Sequence, residues 1–145
     1  MDGFEKEMRK IIFLFLIIGI FLAGCQNKDA EYLEWKNATI EYQNVALVVI
    51  DKAMQNQTEE AIALCDKLSK DMMKDSCYRL FIDTQYKMGN TLPVSVCDKV
   101  ILKVKMPSKD IAEQLGEKII DYKKEKERIT NEIKRTKEMC YNMSR

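Results

Sequence analysis

The sequence contains no histidine and only five glycines among its 145 residues. Without histidine, Ser-His-Asp and Cys-His nucleophilic systems are excluded, and the commonest nitrogen ligand of zinc is absent. Beyond residue 24 the only glycines are Gly89 and Gly116, so no glycine-rich loop is available to hold a phosphate. We therefore expect no enzymatic activity, no catalytic residue, no metal and no cofactor.

The cysteine spacing and the charge balance disfavour two further classes of protein, those with a cysteine redox or zinc site and those that bind nucleic acid. No two cysteines have the Cys-x-x-Cys spacing of thiol oxidoreductases, nor the close pairs that preorganise a zinc site. Neither sign of charge dominates, because 24 lysines and arginines face 23 acidic residues, and no basic stripe is interleaved with aromatic residues. We therefore do not expect nucleic acid to be a partner.

The first long apolar run has the features of an export signal. Arg9 and Lys10 precede an apolar run over residues 11–21, and small residues follow it. A helix of roughly 14 residues rises only about 21 Å, which is short for a hydrocarbon core of about 30 Å. From Met1 the charges before the run cancel, whereas from Met8 only the two basic residues remain. We interpret residues 1–24 as a signal peptide and expect the true start at Met8.

The run ends in Leu22-Ala23-Gly24-Cys25, which resembles the lipobox of prokaryotic lipoproteins. The resemblance implies cleavage between Gly24 and Cys25 and attachment of a diacylglyceryl group to the Cys25 sulfur. It predicts that residues 25–145 form one exported helical domain, anchored to the membrane through Cys25 on the extracytoplasmic side, in the cell envelope. An uncleaved signal anchor and an ordinary signal peptide with a chance cysteine are the alternatives.

The remaining four cysteines have an even count, which in an exported chain indicates two disulfides with three conceivable pairings. A weak internal repeat favours one of them. Leu-Cys-Asp-Lys-Leu around Cys65 resembles Val-Cys-Asp-Lys-Val around Cys97, and a Cys-Tyr dipeptide follows at Cys77 and again at Cys140. If each unit closes with its own bridge, the pairs are Cys65–Cys77 and Cys97–Cys140.

These Cys-Asp-Lys and Cys-Tyr elements are similar to a cysteine-bearing helical repeat of uncharacterised exported archaeal proteins. The resemblance covers residues 58–104, and the second unit departs from it because its Cys-Tyr element comes much later in the chain. It implies short helices that recur with one cysteine each. No activity follows from it.

Apolar residues recur at three- and four-residue intervals along most of the exported segment, which predicts an all-α fold, a small bundle or repeat-like stack of about five helices stabilised by disulfides. The pattern predicts a first helix over 29–55 and a second capped by Asn56 or Thr58. A third ends at Gly89-Asn90, a short fourth follows, and a long amphipathic helix capped by Ser108 covers 108–143.

Two features leave alternatives open. The 108–143 helix either packs on the domain or forms an arm for a protein partner, and packing is favoured. Tyr32, Trp35 and Tyr42 form either a core stripe or the wall of a ligand groove, and the core stripe is favoured.

The expected function is a lipid-anchored envelope protein with a binding or structural role. The alternatives are a small-ligand-binding lipoprotein and a signal-anchored membrane protein with a helical partner-binding arm.

Three Asn-x-Ser/Thr sequons occur, at Asn37, Asn56 and Asn142. An exported chain can carry sugars on such asparagines where the cell glycosylates its exported proteins. Chance occurrence is the alternative, and it is slightly favoured.

Overall fold

The computed structural model describes residues 29–101, 103–116 and 121–144. The chain divides into two compact units, Met1–Glu34 and Trp35–Arg145. In the first unit the described residues, 29–34, are helical. The predicted signal peptide and its cysteine lie outside the described residues.

The second unit consists, in its described residues, of helices and short connecting segments without a strand. The all-α prediction is therefore confirmed, together with two cysteine bridges and a long C-terminal helix. The helices are α1 (35–54), α2 (Thr58–Asp66), α3 (Asp71–Lys87), α4 (Val94–Asp98), α5 (Lys109–Gln114) and α6 (Tyr122–Met143).

The described residues hold six helices, not about five, because the predicted helix over 108–143 consists of two. Helix α5 ends at Gln114, and Gly116 follows with φ +90°, a conformation that stops a helix and that glycine adopts without a Cβ clash. Helix α6 begins after Asp121, whose side chain accepts a hydrogen bond from the Lys124 N–H at 3.1 Å. Apolar periodicity alone does not reveal this interruption, since it continues on both sides of it.

Local signals at helix ends were partly correct. Ser108 caps α5 as predicted, its hydroxyl accepting from the Ile111 N–H at 3.4 Å. Gly89, with φ +70°, follows the end of α3, as the sequence also predicted. Helix α2 differs, because its N-cap position is Gln57, which makes no side-chain capping hydrogen bond.

The core lies where α2 and α3 pack together and where α6 packs on α3 and α4. Its fully buried side chains come from five helices and include both disulfides. They include Val49, Ala53, Ala61, Cys65, Cys77, Phe81, Ile82, Cys97, Ile133 and Cys140.

One buried amide ties α3 to the end of α1. The Gln85 Nε2 donates to the Ala53 carbonyl at 2.8 Å, and its Oε1 accepts from Asn90 Nδ2 at 2.6 Å. The Ala53 carbonyl belongs to the last turn of α1, where carbonyls lack a partner in their own helix. This carbonyl also accepts from the Asn56 N–H at 3.0 Å, and the additional bond from Gln85 keeps α1 in contact with the core.

Candidate functional site

The two disulfides join the cysteines that the internal repeat paired. Cys65 and Cys77 have Cα atoms 5.5 Å apart, and so do Cys97 and Cys140. All four cysteines are completely buried. The first bridge joins the end of α2 to α3, and the second joins α4 to the last turn of α6. Both bridges therefore hold short helices against longer ones.

A tyrosine–aspartate hydrogen bond accompanies each disulfide. The Tyr78 hydroxyl donates to Asp66 Oδ1, and the Tyr141 hydroxyl donates to Asp98 Oδ1 at 2.5 Å. Each aspartate and each tyrosine directly follows a bridged cysteine, so the same four-residue arrangement occurs twice. The repeated dipeptides are evident in the sequence, but the hydrogen bond between them was not predicted. The repeat of Cys-Asp and Cys-Tyr was the signal that could have revealed it.

These contacts shift the proton affinities of the residues involved. Burial raises the pKa of Asp66, but hydrogen bonds from Tyr78 and Lys99 outweigh it, and the pKa lies below its usual value. Burial and the hydrogen bond to the Asp66 carboxylate raise the pKa of Tyr78 far above its usual value. The hydrogen bond to Asp98 likewise raises the pKa of Tyr141. Both phenols are therefore protonated donors at neutral pH.

Asp75 is the one buried carboxylate among the described residues, at 1% exposure. Its Oδ2 accepts from Arg79 Nε at 2.8 Å, and its Oδ1 accepts from the Ile101 backbone N–H at 3.1 Å. Burial raises the pKa of Asp75, and the Arg79 charge and both hydrogen bonds oppose that rise. Since both oxygens have partners in the fold, Asp75 acts here as a structural link between α3 and the segment after α4.

An apolar groove of about 280 Å³ lies between α1, the start of α3 and the α5–α6 region. Most of its wall is apolar or aromatic, and α1 contributes one side at helical spacing. The lining residues are Trp35, Thr39, Tyr42, Gln43, Met72, Met73, Ser76, Met106, Pro107, Ala112, Leu115, Glu125 and Ile129.

Three polar side chains on the α1 side of this groove have no hydrogen-bond partner in the described part of the chain. Among the described residues, none forms a hydrogen bond with the Trp35 indole N–H, the Tyr42 hydroxyl or the Gln43 amide. Thr39 differs, because its hydroxyl donates to the Trp35 carbonyl at 2.9 Å. Burial raises the pKa of Tyr42, although the Arg79 charge opposes this rise, so its hydroxyl keeps its proton at neutral pH. An apolar pocket with a few such groups is typical of small-molecule sites.

Trp35 combines core and groove roles. It is only 2% exposed, and Lys70 Nζ lies 5.1 Å from the centroid of its ring, within cation–π range. Trp35 and Tyr42 thus both line the groove, and Trp35 is also buried. Tyr32, the third aromatic residue of the predicted stripe, belongs to the first unit and is not among the lining residues.

Three half-buried methionines line the same groove: Met72, Met73 and Met106. Methionine side chains are unbranched and polarizable, so they adapt to ligands of irregular shape. Glu125, on the α6 side, pairs with Arg128, whose hydrogen bond lowers the pKa of the Glu125 carboxyl. The groove therefore presents an adaptable apolar surface with one paired negative charge at its edge.

A second, more open depression of about 590 Å³ lies where α3 faces α6. Its charges are mostly paired with one another. Lys87 Nζ lies 2.6 Å from an Asp83 oxygen, and Arg79 pairs with Asp75 and approaches Glu132 at 3.6 Å. Paired, solvated charges leave little to attract a ligand, so we regard the apolar groove as the candidate site.

Comparison of the chain with protein-family models, with curated proteins and with solved structures finds no match. Within the described ranges, no helix combines the length and apolar character that crossing a bilayer requires. The same ranges contain no group of three or more histidine, cysteine, aspartate or glutamate side chains placed to hold a metal ion.

Proposed function

We propose that this chain is a lipid-anchored protein of the cell envelope that faces the extracytoplasmic side and binds an apolar or amphipathic small molecule. The Leu22-Ala23-Gly24-Cys25 sequence supports the anchor, because it ends a signal-like apolar run at a cysteine. Each buried methylene of an acyl chain contributes about 0.8 kcal/mol, so two or more chains hold a protein on a bilayer.

The two bridges support the extracytoplasmic location. Disulfides persist in oxidising compartments and are rare where glutathione and thioredoxin keep thiols reduced. All four bridged cysteines lie in the core, which is a structural use of the thiols and not a reactive one.

An intact mass of protein extracted from membranes tests the anchor. We expect the mass of residues 25–145 plus acyl groups, and we expect a Cys25→Ser variant to leave the membrane fraction. The proposal fails if the Cys25→Ser protein sediments with envelopes as firmly as the parent does. The mass of the full 145 residues without acyl groups would also contradict it.

The observation that carries the binding role is the apolar groove beside Trp35. Most of its lining is apolar, and its α1 side offers an indole N–H, a hydroxyl and an amide without hydrogen bonds to described residues. A ligand with an apolar body and a few hydrogen-bonding atoms matches that arrangement. We therefore favour a binding role over a purely structural one.

Trp35 is the only tryptophan, so its fluorescence reports directly on the groove. We expect an organic extract of the native envelope, and decanoate as a defined apolar probe, to shift its emission in a saturable way. Thr39→Phe places a ring in the groove and should abolish the shift.

Thr130→Phe is the matched control. Thr130 donates to the Lys126 carbonyl at 2.8 Å, as Thr39 does to that of Trp35, but it does not line the groove. This variant should keep the shift. Equal loss in both variants, or no saturable shift with either probe, would contradict the binding role.

A further inference from the structure

The three sequons lie in different structural settings. Asn37 lies inside α1 and Asn142 lies inside the last turn of α6. Asn56 lies in the turn between α1 and α2, and its φ of +59° is in the left-handed region that asparagine tolerates better than most residues. All three asparagines are exposed. Only Asn56, therefore, is presented outside a helix.

The serine or threonine hydroxyl of each sequon, two residues after the asparagine, also differs among the three sites. The Thr39 hydroxyl donates to the Trp35 carbonyl at 2.9 Å, and the Ser144 hydroxyl donates to the Cys140 carbonyl at 3.0 Å. Thr58, the hydroxyl residue of the Asn56 sequon, forms no side-chain hydrogen bond with any described residue. A glycosylating enzyme needs this hydroxyl to recognise the site. In the sequons of Asn37 and Asn142 the hydroxyl is already hydrogen-bonded to a backbone carbonyl, whereas in the Asn56 sequon it is available.

We propose that Asn56 is the N-glycosylation site of this protein. The inference rests on the extracytoplasmic location proposed above, because the sugar donor is used on that side of the membrane. The donor class is an oligosaccharide joined through its first sugar to a polyprenyl phosphate or pyrophosphate. The Asn56 amide nitrogen forms a bond to C1 of that sugar and gives up one proton to a base of the transferase. The C1–oxygen bond breaks, and the polyprenyl phosphate or pyrophosphate leaves with no change of oxidation state.

The backbone at the other two sites opposes the reaction. The N–H of an asparagine inside an α-helix is held by an i to i−4 hydrogen bond, so the transferase can reshape the backbone there only by opening the helix. Opening α1 near Asn37 would disturb the buried Trp35, and opening α6 near Asn142 would disturb the Cys140 bridge. The Asn56 and Gln57 N–H groups also bond to carbonyls of α1, but these bonds close a turn at the surface, which is where sequon acceptors of exported proteins lie.

A glycan at Asn56 is compatible with the proposed ligand groove. The α1 residues of the groove lie between Trp35 and Gln43, in the first half of the helix. Asn56 follows the end of α1 at residue 54, and 11 residues at a rise of 1.5 Å place that end about 17 Å from Gln43 along the axis. The glycan would therefore project from the end of α1 and leave the groove open.

Peptide mass spectrometry of the full-length protein extracted from native membranes tests the proposal. We expect one glycan per chain, on the peptide that contains Asn56. Asn56→Gln and Thr58→Ala should remove it, whereas Thr58→Ser should retain it because the hydroxyl remains. The matched variants Asn37→Gln and Asn142→Gln should leave the glycan in place.

The same digest separates the two proposals. Acyl groups on Cys25 with an unmodified Asn56 would overturn glycosylation at Asn56 while leaving the anchor intact. A glycan on Asn37 or Asn142 in place of Asn56 would also overturn it. An unmodified Asn56 in protein that lacks acyl groups would overturn both proposals. A glycan on Asn56 in protein without acyl groups would support the site and contradict the anchor.

Discussion

Lys99 Nζ lies 2.9 Å from Asp66 Oδ2 and 3.1 Å from Asp66 Oδ1, so the lysine of the second Cys-Asp-Lys element binds the aspartate of the first. The same carboxylate accepts the Tyr78 hydroxyl. Asp66 thus connects the two cysteine-bearing units through side chains that lie next to their disulfides. Asp66 and Lys99 are about two-fifths exposed, and such a pair stabilises by at most about 1 kcal/mol.

The hydroxyl of Tyr78 should contribute more than that of an exposed tyrosine. Tyr78→Phe removes a hydrogen bond to a carboxylate at a position only 3% exposed, which should lower the free energy of unfolding by about 1 kcal/mol. Tyr86→Phe, at a side chain 55% exposed, is the matched control and should have almost no effect. Urea unfolding monitored by circular dichroism measures both, and equal effects would contradict the prediction.

The raised pKa of Tyr78 gives a second readout of the same contact. The phenol should remain protonated where ordinary tyrosines ionise, near pH 10. In a titration up to about pH 10, the Tyr78→Phe variant should therefore develop the same tyrosinate absorbance as the parent. A smaller absorbance change in the variant would show that Tyr78 ionises with the ordinary tyrosines.

Asp66 and Asp75 should make opposite contributions to the pH dependence of stability. The pKa of folded Asp66 is lowered, so its contribution is present above its unfolded pKa, about 4, and is lost as the pH falls through the lower folded value. The pKa of Asp75 is raised, so the folded state holds its proton more tightly and this contribution is lost as the pH rises through the folded value.

Urea unfolding at several pH values between about 3 and 7 tests these signs. Relative to the parent, Asp66→Asn should lose most stability at neutral pH and progressively less in acid. The parent should gain stability relative to Asp75→Asn on acidification. The same slope for both variants would contradict the two opposite pKa shifts.

The two disulfides should stabilise unequally because they close loops of different length. The cysteines are separated by 12 residues in the first bridge and by 43 in the second. On the chain-entropy account, the bridges contribute about 3 and about 4 kcal/mol respectively. Cys97→Ala/Cys140→Ala should therefore lower the free energy of unfolding by more than Cys65→Ala/Cys77→Ala. A larger loss from the shorter loop would show that packing around the bridges, and not loop closure, sets their contributions.

Gly116 should be needed to terminate α5 because of its backbone conformation. A Cβ atom at this position would have no neighbour within 4 Å among the described residues, but the φ of +90° is unfavourable for residues with a Cβ. Gly116→Ala should lower the free energy of unfolding by about 1 kcal/mol, the cost of a Cβ in a left-handed conformation. Glu113→Ala, an exposed change inside α5, should have a much smaller effect. An unchanged or increased stability in Gly116→Ala would mean that the segment adopts a different backbone there.

The sequence predicted much of the fold because its strongest signals are local. Apolar spacing identified the helices, and Ser108 and Gly89 identified two of their boundaries. The repeated dipeptides favoured the cysteine pairs that the structure has. The division of the last predicted helix was missed, because Ile111, Leu115 and Ile119 continue the same apolar spacing through the break.

The candidate groove was less predictable. The sequence marked Trp35 and Tyr42 as either core or groove residues, and the structure assigns both to the groove wall while burying Trp35. The methionines of the opposite side belong to α3 and to the segment before α5. Their position against α1 depends on how the helices pack, which helical periodicity does not encode.

By itself, the sequence predicted the all-helical class, favoured the cysteine pairs that the structure has, and supplied the resemblance on which the proposed lipid at Cys25 rests, since each depends on residue type and spacing along the chain. Only the tertiary structure decided that Asp66 joins Tyr78 to Lys99 and that Asp75 is buried with Arg79. The physical reason is that these contacts and exposures depend on the relative placement of separate helices, and that placement is set by side-chain packing in the core.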